Sequence, residues 1–309
     1  MTIYEALKDR VLLLDGAFGT LMQRFGFSEE DFRGETFHNH PFNLKGCYDV
    51  LCITRPYAVR QIHDAYLAAG ADIIETNSFN ANSLSLTEYG LQDKVYDIAR
   101  AAASVARAAA DAASTPDKPR FVAGSMGPTK FTASISSDVD SPAARDVTFD
   151  TLEEAYHTQA SGLIDGGADI LLIETVFDTL NAKAALHAIE RLRKECGKEI
   201  PVMVSVTISD ASARTLSGQT IDAFYTSIAH SELLSVGMNC SLGAHQMYPF
   251  VKRLAECAPV RISVHPNAGL PNLLGEYDQS AEQFASEMEQ YLKNGLVNIV
   301  GGCCGTTPD

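Results

Sequence analysis

Three cysteines stand where the chain could assemble a metal site. Cys240 follows Asn239 at the end of one apolar run, and Cys303 and Cys304 form a Gly-Gly-Cys-Cys-Gly segment after another. Zinc favours tetrahedral coordination by thiolates, and a catalytic zinc site typically has three protein ligands and one open position. Glycines on both sides of the pair let the backbone turn, so both sulfurs can face one ion. The simpler alternative is that each cysteine is a small buried hydrophobic residue.

Two carboxylates, Asp15 and Glu174, also follow apolar runs. Each could cap a helix or accept hydrogen bonds from loop N–H groups, or it could bind a cationic group such as an α-ammonium. The turn at residues 16–20 exposes several backbone N–H groups, an arrangement suited to a carboxylate or another anion. An anion site beside two carboxylates and a thiophilic metal fits an amino acid that carries a thiol. Cysteine and homocysteine both meet this description.

A second group of possible metal ligands lies in a polar stretch nearer the N-terminus, and it contains His38, His40, Cys47 and Cys52. Their spacing fits no zinc template, and histidines in a polar loop are usually just solvated. The two remaining cysteines fall on predicted outer helices at Cys196 and Cys257. The sequence therefore favours the set formed by residues 240, 303 and 304 as the metal site.

The elements that must position these residues recur along the whole chain. Short apolar runs, several of them continuous rather than alternating, are typical of strands buried on both faces of a parallel sheet. Two segments nearly repeat each other: LAAGADIIET at 67–76 and LIDGGADILLIET at 163–175 both read as a helix end, a turn, a strand and Glu-Thr. The predicted strands are Val11–Leu14, Ile73–Ile74, Phe121–Ala123, Ile170–Ile173, Val202–Val206, Leu233–Val236, Ile262–Val264 and Leu296–Val300.

Segments of helical length separate these strands. Thr151 and Glu154 have the spacing of a capping box, so one helix is predicted to start near Thr151. Repeated alternation of strand and helix predicts an α/β protein, a single (β/α)8 TIM barrel over residues 1–309. A doubly wound open sheet is the alternative, but DGAFGT does not match the phosphate-binding glycine fingerprint that such a sheet needs. The other predicted helices are 58–69, roughly 91–113, 179–196, 222–230, 244–257 and 281–293.

Two connections, at about 24–56 and 129–150, are too long to be plain loops. Each follows a strand, so each lies at the carboxyl-terminal mouth of the barrel, where active sites sit. Cys240 follows strand six and the Cys-Cys pair follows strand eight, so the three sulfurs are expected close together across the mouth. The sequence stops at Asp309 without the expected eighth outer helix. It therefore predicts an N-terminal fragment of a longer multidomain protein.

Composition excludes several classes of partner. The 309 residues include 24 Lys+Arg and 39 Asp+Glu, giving a formal net charge of −15 that would repel a nucleic-acid backbone. The N-terminus lacks the features of a secretory signal, and no apolar run approaches the roughly 20 residues needed to span a bilayer. Seven irregularly spaced cysteines in such a chain favour reduced thiols and a cytoplasmic location. We expect no nucleic-acid or membrane partner.

Ten sequence blocks follow one another in order between Leu14 and Pro308. They are DGAFGT, ITRP, AGADIIETNSF, TASIS, LLIETVFDTLNAK, TLSGQT, GMNCSLGA, HPNAGLPN, GEYD and VNIVGGCCGTTP. This order resembles the homocysteine-binding domain of cobalamin-dependent methionine synthase, a branch of the homocysteine S-methyltransferases. Other members of that wider family take the methyl group from betaine or S-methylmethionine. The loop at 132–139 and the HPNAGLPN block are most similar to the cobalamin-dependent branch.

The resemblance implies a role for each matching residue. Cys240, Cys303 and Cys304 correspond to the zinc ligands that take part in catalysis. Asp15 and Glu174 correspond to the residues that hold the substrate amino group. The remaining substrate-binding positions are the turn that receives the carboxylate and two further contacts, namely Gly16, Ala17, Gly19, Thr20, Ser125 and Asn239.

The resemblance also implies a methyltransferase of methionine biosynthesis, of the 5-methyltetrahydrofolate–homocysteine type. A free thiol with a pKa near ~8.5 is mostly protonated at neutral pH, and coordination to Zn²⁺ deprotonates it. Homocysteine would then attack the methyl group of methylcobalamin, which another domain of the parent polypeptide holds beside a folate-binding domain. The alternatives are betaine or S-methylmethionine as the donor, and a non-catalytic homocysteine- or zinc-binding module. A metal-free barrel for a phosphorylated sugar is disfavoured, because phosphate chemistry needs no soft ligands.

Overall fold

The computed structural model describes residues 1–208, 213–272 and 275–309. Eight parallel strands form one sheet in the order β1-β8-β7-β6-β5-β4-β3-β2. The sheet closes through a parallel bridge between Leu14 and Ile73. The predicted (β/α)8 barrel is confirmed, and the open-sheet alternative is wrong. The strands are β1 (Leu12–Leu13), β2 (Ile73–Glu75), β3 (Phe121–Met126), β4 (Ile170–Val176), β5 (Val202–Val206), β6 (Ser235–Gly243), β7 (Arg261–Asn267) and β8 (Ile299–Val300).

Strand ends are where the structure departs from the prediction. β5 has the predicted bounds, but β6 was expected at 233–236 and extends instead to Gly243. β4 likewise continues past Ile173 to Val176. Apolar residues mark only the buried middle of a strand, whereas the backbone pairing continues through polar residues at the mouth. These extensions carry the residues that the site uses.

Helices surround the barrel, and three of them have the predicted bounds of 179–196, 244–257 and 281–293. A short helix before the first strand was not predicted, and residues 301–309 after β8 form no helix. The helices are α1 (Ile3–Asp9), α2 (Gly19–Gln23), α3 (Glu29–Arg33), α4 (Leu51–Thr54), α5 (Pro56–Ala69), α6 (Ser83–Leu86), α7 (Val95–Ala113), α8 (Phe149–Asp165), α9 (Thr179–Cys196), α10 (Ile221–Ile228), α11 (Ala244–Cys257) and α12 (Ala281–Lys293).

The start of α8 corrects one prediction. The capping box expected from Thr151 and Glu154 does not form, because the helix already begins at Phe149. Thr148 is the N-cap: its backbone is extended, with φ −92° and ψ 163°, and its hydroxyl accepts the Thr151 N–H at 3.1 Å. An N-cap needs a non-helical backbone and a side-chain oxygen that reaches the third residue of the helix. Thr148 meets both requirements one turn earlier than the predicted position.

Two apolar layers hold the barrel together. Ile170 and Leu172 of β4 belong to the interior cluster, and Leu171 and Ile173 belong to the layer under the helices. This alternation is the two-residue period of a strand. Helix α1 packs against the interior cluster through Ile3, Ala6 and Leu7. The strands are thus buried on both faces, as their continuous apolar runs predicted.

The two repeated Gly-Ala-Asp segments have one role at the amino-terminal end of the barrel. Asp72, before β2, accepts the N–H of Leu13 in β1 at 3.0 Å. Asp169, before β4, accepts the N–H of Val122 in β3 at 2.8 Å. Each aspartate also forms an ion pair with an arginine. The repeat therefore ties a strand to its neighbour twice, on the side of the barrel away from the mouth.

The two long connections both lie at the mouth. The first contains α2, α3, a 3-10 turn at Tyr48–Val50 and α4, which pack with α5 and α7 around a second apolar cluster. The second, between β3 and α8, contains no helix or strand, and Ser134 anchors it to Asp178 through a 2.7 Å hydrogen bond. In the described ranges, no helix has the length and apolar character needed to cross a bilayer.

Candidate active site at the barrel mouth

The three sulfurs converge as predicted. Cys240 lies in the last part of β6, and Cys303 and Cys304 lie just after β8. The Sγ atoms of Cys240 and Cys304 are 4.0 Å apart, and all three Sγ atoms lie within 4.8 Å of one another. Cys240 has a left-handed φ of 62° where the pairing of β6 with β7 shifts register. A side chain at such a bulge is aimed away from its normal strand direction, here toward the other cysteines.

The geometry of the three sulfurs fits a zinc ion. Four ligands at about 2.3 Å in a tetrahedron have sulfur–sulfur separations of roughly 3.8 Å. The observed separations, 4.0 Å for one pair and below 4.8 Å for all, are close to that value. Over residues 1–208, 213–272 and 275–309, this is the single group of three or more His, Cys, Asp or Glu side chains that could hold a metal. The alternative cluster near residues 38–52 is therefore not assembled.

The thiols at this site shift one another's pKa values in opposite directions. Hydrogen bonds from Cys240 and then Cys303 lower the pKa of Cys304 far below its ordinary value. Hydrogen-bond contacts with Cys240 and Cys304, followed by burial, raise the pKa of Cys303 well above its ordinary value. One thiolate is thus favoured and three would repel one another. A bound dication offsets that repulsion, so this donor set suits a metal ion better than three free thiols.

Two buried carboxyl groups lie at the same mouth of the barrel. Asp15 and Glu174 are only 4% and 5% exposed. Oδ2 of Asp15 accepts the backbone N–H of Glu75 at 3.0 Å, and Oδ1 has no hydrogen-bond partner among the described residues. Oε1 of Glu174 accepts the hydroxyl of Ser125 at 2.5 Å. Both predicted carboxylates therefore lie at the mouth, and Asp15 keeps one oxygen without a partner among the described residues.

A third carboxylate, Glu75, belongs to this group and was not predicted as a site residue. Its Oε1 atom is buried without a hydrogen-bond partner in the described parts of the chain. Burial raises the pKa of Glu75 well above its usual range, and the charges of Glu174 and Asp15 raise it further. Burial also raises the pKa of Asp15 and of Glu174. Three carboxyl groups in one place, two of them buried and Glu75 partly exposed, favour the arrival of a cation.

Asn239 lies behind Glu174. Its side chain is fully buried and donates to Oε2 of Glu174 at 3.2 Å and to the hydroxyl of Thr175 at 2.9 Å. Its Oδ1 atom accepts the Thr175 N–H at 3.0 Å and the Ser205 hydroxyl at 2.7 Å. Thr175 has a left-handed φ of 55°, which these bonds hold in place. The structure thus brings both Asn239 and Ser125, the two further predicted contacts, against Glu174.

The predicted carboxylate-binding turn lies beside the cysteines. Its residues Gly16, Ala17, Gly19 and Thr20 line one cleft together with the three cysteines. The Thr20 hydroxyl is buried and has no partner among the described residues. Helix α2 begins at position 19, so the N–H groups of its first turn have no acceptor within the helix. The turn can therefore supply N–H and O–H donors to an anion in the cleft.

His265, on β7, is another cleft residue that the sequence did not single out. It is 1% exposed, and burial lowers its pKa to about 3, so the imidazole is neutral at physiological pH. Its Nδ1 lies 4.0 Å from Oε1 of Glu75. Glu75 and His265 each come directly after a predicted strand, and this placed them at the mouth of the barrel. Nothing in the sequence ranked them above the other residues at the mouth.

The cleft between these groups has a volume of about 280 Å³. Sulfur ligands lie at one side, with carboxylates and free N–H donors around the rest. Aromatic side chains of Phe18, Tyr48 and Phe79 complete the lining. Across the described residues, no lysine or arginine lines this cleft. The arrangement can take a small molecule with a thiol, a cation and an anion.

Comparison with known proteins identifies the class. The homocysteine S-methyltransferase family model matches residues 12–309, so this chain belongs to that family. It is therefore a methyltransferase that acts on homocysteine. The solved structures described next are less than 25% identical to the chain, so they bear on the fold alone.

The fold is that of the homocysteine methyltransferase MmuM from Escherichia coli. The metallated form of that protein matches with a TM-score of 0.75 at 22% identity, covering 99% of this chain and 96% of that one. Its oxidized form matches with a TM-score of 0.74 at 21% identity, covering 98% and 94%. The carboxyl transferase domain of Rhizobium etli pyruvate carboxylase matches with a TM-score of 0.50 at 13% identity, covering 97% and 41%.

Proposed function

We propose that this chain is a zinc-dependent methyltransferase that binds homocysteine through its sulfur, ammonium and carboxylate, with methylcobalamin as methyl donor. The observation that carries the proposal is that three convergent sulfurs line one cleft with Glu75 and Glu174, and that the buried Asp15 carboxyl group lies next to Glu75. One structure of the Escherichia coli protein with this fold is of a metallated form. Donors of the soft thiolate type favour zinc among common biological cations.

Cys240, Cys303 and Cys304 would hold the zinc ion. Zinc supplies Lewis-acid chemistry: it lowers the pKa of a thiol, ordinarily near ~8.5, so that homocysteine is present as thiolate. Three cysteine thiolates leave one position of a tetrahedron for the substrate sulfur. Because these ligands are anionic, the substrate sulfur retains the electron density that a nucleophile needs. The three cysteines therefore both position and activate the substrate.

The carboxylates would bind the substrate ammonium. An ammonium group has three donors, and Oδ1 of Asp15 and Oε1 of Glu75 are acceptors without another partner in the described chain. Glu174 would supply the third acceptor, and hydrogen bonds from Ser125 and Asn239 hold its carboxylate in place. The cation would keep all three groups ionised against the burial that raises their pKa values. The turn at 16–20 would receive the substrate carboxylate.

The reaction that follows is a nucleophilic substitution. The homocysteine thiol gives up its proton on binding, and the sulfur attacks the methyl carbon of the donor. A sulfur–carbon bond forms as the bond between the methyl group and the donor breaks, and the donor keeps that electron pair. The products are methionine and the demethylated donor. This chain contributes the position and charge of the sulfur, which brings the reactants into near-attack geometry.

Two observations support methylcobalamin as the donor. The sequence blocks at 132–139 and 265–272 are most similar to the cobalamin-dependent branch. Exposed apolar side chains at Val139, Leu216 and Leu270 lie on connections that follow β3, β5 and β7, all at the mouth. Such residues suit docking of a cobalamin-binding domain over the cleft. A folate-binding domain of the same system would regenerate the methyl group.

A donor comparison tests the proposal. Zinc-loaded protein is incubated with homocysteine and, separately, methylcobalamin, betaine or S-methylmethionine, and methionine is quantified. We expect methionine with methylcobalamin only, and none from Cys303→Ser. Cys196→Ser, which changes an exposed cysteine outside the site, is the matched control and should retain activity. Rapid turnover with betaine or S-methylmethionine would assign the chain to the cobalamin-independent branch. Zinc-dependent binding of homocysteine without turnover would favour a non-catalytic module.

A further inference from the structure

We propose that Thr306 is a positioning residue that fixes the distance between the sulfur site and the turn that binds the substrate carboxylate. The proposal rests on the proposed function, because it assigns those two places to the two ends of homocysteine. Thr306 is not one of the site residues that the sequence predicted. It follows the Cys-Cys pair and is 8% exposed.

The Thr306 hydroxyl joins two segments that are far apart in sequence. It accepts the backbone N–H of Ala17 at 3.0 Å, a contact across 289 residues. The same hydroxyl donates to the backbone oxygen of Cys303 at 2.7 Å. One oxygen atom therefore connects the turn after β1 directly to a metal ligand. The bond from Ala17 is buried and the bond to Cys303 is partly buried, which makes them more costly to lose than fully exposed ones.

A second hydroxyl strengthens the same connection. Tyr66, on α5, donates to the oxygen of Ala17 at 3.0 Å and approaches the oxygen of Thr306 at 3.4 Å. The backbone N–H of Gly302 also donates to the oxygen of Asp15 at 3.0 Å. Hydrogen bonds thus hold the N–H and the oxygen of Ala17 and the oxygen of Asp15. The turn cannot move relative to the cysteines without breaking several of these bonds.

Two glycines leave the space that the Thr306 side chain occupies. A Cβ atom added to Gly16 would lie 2.4 Å from the Thr306 hydroxyl oxygen, and one added to Gly302 would lie 2.5 Å from it. Real Cβ atoms do not approach oxygen so closely. The hydroxyl therefore fits between the two segments because Gly16 and Gly302 have no side chain.

The connection has a consequence for the substrate. The Ala17 N–H is already used by Thr306, so the donors left for a carboxylate are those of the following residues and the Thr20 hydroxyl. Their distance from the sulfurs is fixed by Thr306. Homocysteine has two methylene groups between its sulfur and its α-carbon, and cysteine has one. A fixed spacing lets the site hold the longer molecule at both ends and the shorter one at one end only.

Thr306→Val removes the hydroxyl and keeps the shape, and Thr306→Ser restores the hydroxyl. Titration calorimetry on zinc-loaded protein compares homocysteine with 3-mercaptopropylamine, which has the thiol and amine but no carboxylate. We expect Thr306→Val to lose about tenfold in homocysteine affinity, as for one buried hydrogen bond, and to keep its zinc. Its affinity for 3-mercaptopropylamine should be unchanged. Thr306→Ser should recover most of the homocysteine affinity, and Thr306→Val should prefer homocysteine over cysteine less strongly.

Equal losses for both thiols, or an unchanged homocysteine affinity in Thr306→Val, would overturn the proposal. If Thr306→Val does not fold, Tyr66→Phe takes its place, because it removes the donor to Ala17 at the same connection. For Tyr66→Phe too, equal losses for both thiols or an unchanged homocysteine affinity would overturn the proposal. A wild-type protein that binds 3-mercaptopropylamine and homocysteine alike, or binds neither with zinc present, would instead remove the proposed function, and this inference with it.

Discussion

The backbone N–H of Glu75 donates to Oδ2 of Asp15 at 3.0 Å, across the point where β1 and β2 close the barrel. The bond holds the Asp15 carboxyl group in one orientation. Its other oxygen, Oδ1, is buried and has no partner among the described residues. A buried acceptor without a donor is costly in the free protein, since it has lost its water. The cost would be recovered on binding a cationic donor, so closure of the barrel prepares Asp15 for the proposed ammonium site.

Asp15→Asn and Glu174→Gln should each weaken homocysteine binding and leave zinc in place. Loss of a charge-assisted hydrogen bond costs on the order of 1.5–3 kcal/mol, roughly a tenfold or greater loss of affinity. The comparison ligand is 4-mercaptobutanoate, which lacks the amino group and should bind both variants as well as the wild type. Asp64→Asn, at a solvent-exposed position on α5, is the control. Unchanged homocysteine affinity in both variants would leave these carboxylates with a structural role only.

Zinc content should depend on three cysteines and on no other. Cys240→Ser, Cys303→Ser and Cys304→Ser each remove one of the convergent sulfurs, so each purified variant should lose most of a near-stoichiometric zinc ion. Cys257→Ser, on the end of α11 and outside the site, should keep it. Metal analysis by mass spectrometry measures the zinc directly. Full zinc retention in all three site variants would rule out the assignment of ligands.

Asp72 should make the fold sensitive to acid. Burial alone would raise the pKa of Asp72, but hydrogen bonds from Arg10 and from the Leu13 N–H outweigh burial and hold the pKa below its ordinary value of 3.8. Because the folded pKa is depressed, the stabilisation is present above the unfolded pKa. It is lost as the pH falls through the folded pKa.

Asp72→Asn should therefore lower the free energy of unfolding near neutral pH, by roughly 1.5–3 kcal/mol. The difference from the wild type should narrow as the pH falls below about 4. Urea unfolding followed by circular dichroism at several pH values measures both effects. Asp222→Asn, at an exposed ion pair with Arg253, should change the stability little at any pH. A constant difference for Asp72→Asn across the pH range would contradict the prediction.

The barrel was predictable because its strands are buried on both faces, so continuous runs such as Val202–Val206 identify them without a partner. The site was predictable in outline for a related reason. Residues at the carboxyl ends of parallel strands meet at one mouth, and Cys240 lies in the last part of β6 while Cys303 and Cys304 follow β8. Topology alone thus places Asp15 and Glu174 beside the sulfurs.

Other parts of the site depend on backbone detail that residue types do not reveal. Cys240 has a left-handed φ within a register shift, and bulges interrupt the two-residue period from which strands are read. The Thr306 contact with Ala17 spans 289 residues and has no local sequence signature. Glu75 was visible as one residue at the mouth among many. Its role depends on which of its oxygens lacks a donor, and that is a property of the folded chain.

Free methylcobalamin should be a slow donor for this chain. The cleft of about 280 Å³ accommodates homocysteine but not a corrin ring, so a free corrin would contact only the exposed rim. The rate of methionine formation should then rise in proportion to methylcobalamin concentration without saturating, because the donor is not held in a near-attack geometry. Homocysteine should saturate normally, since its binding groups lie within this chain. Spectrophotometry of the cobalamin and chromatography of methionine give the two rates. Saturation at low methylcobalamin concentration would mean that the barrel itself holds the corrin, and docking by a separate domain would then be unnecessary.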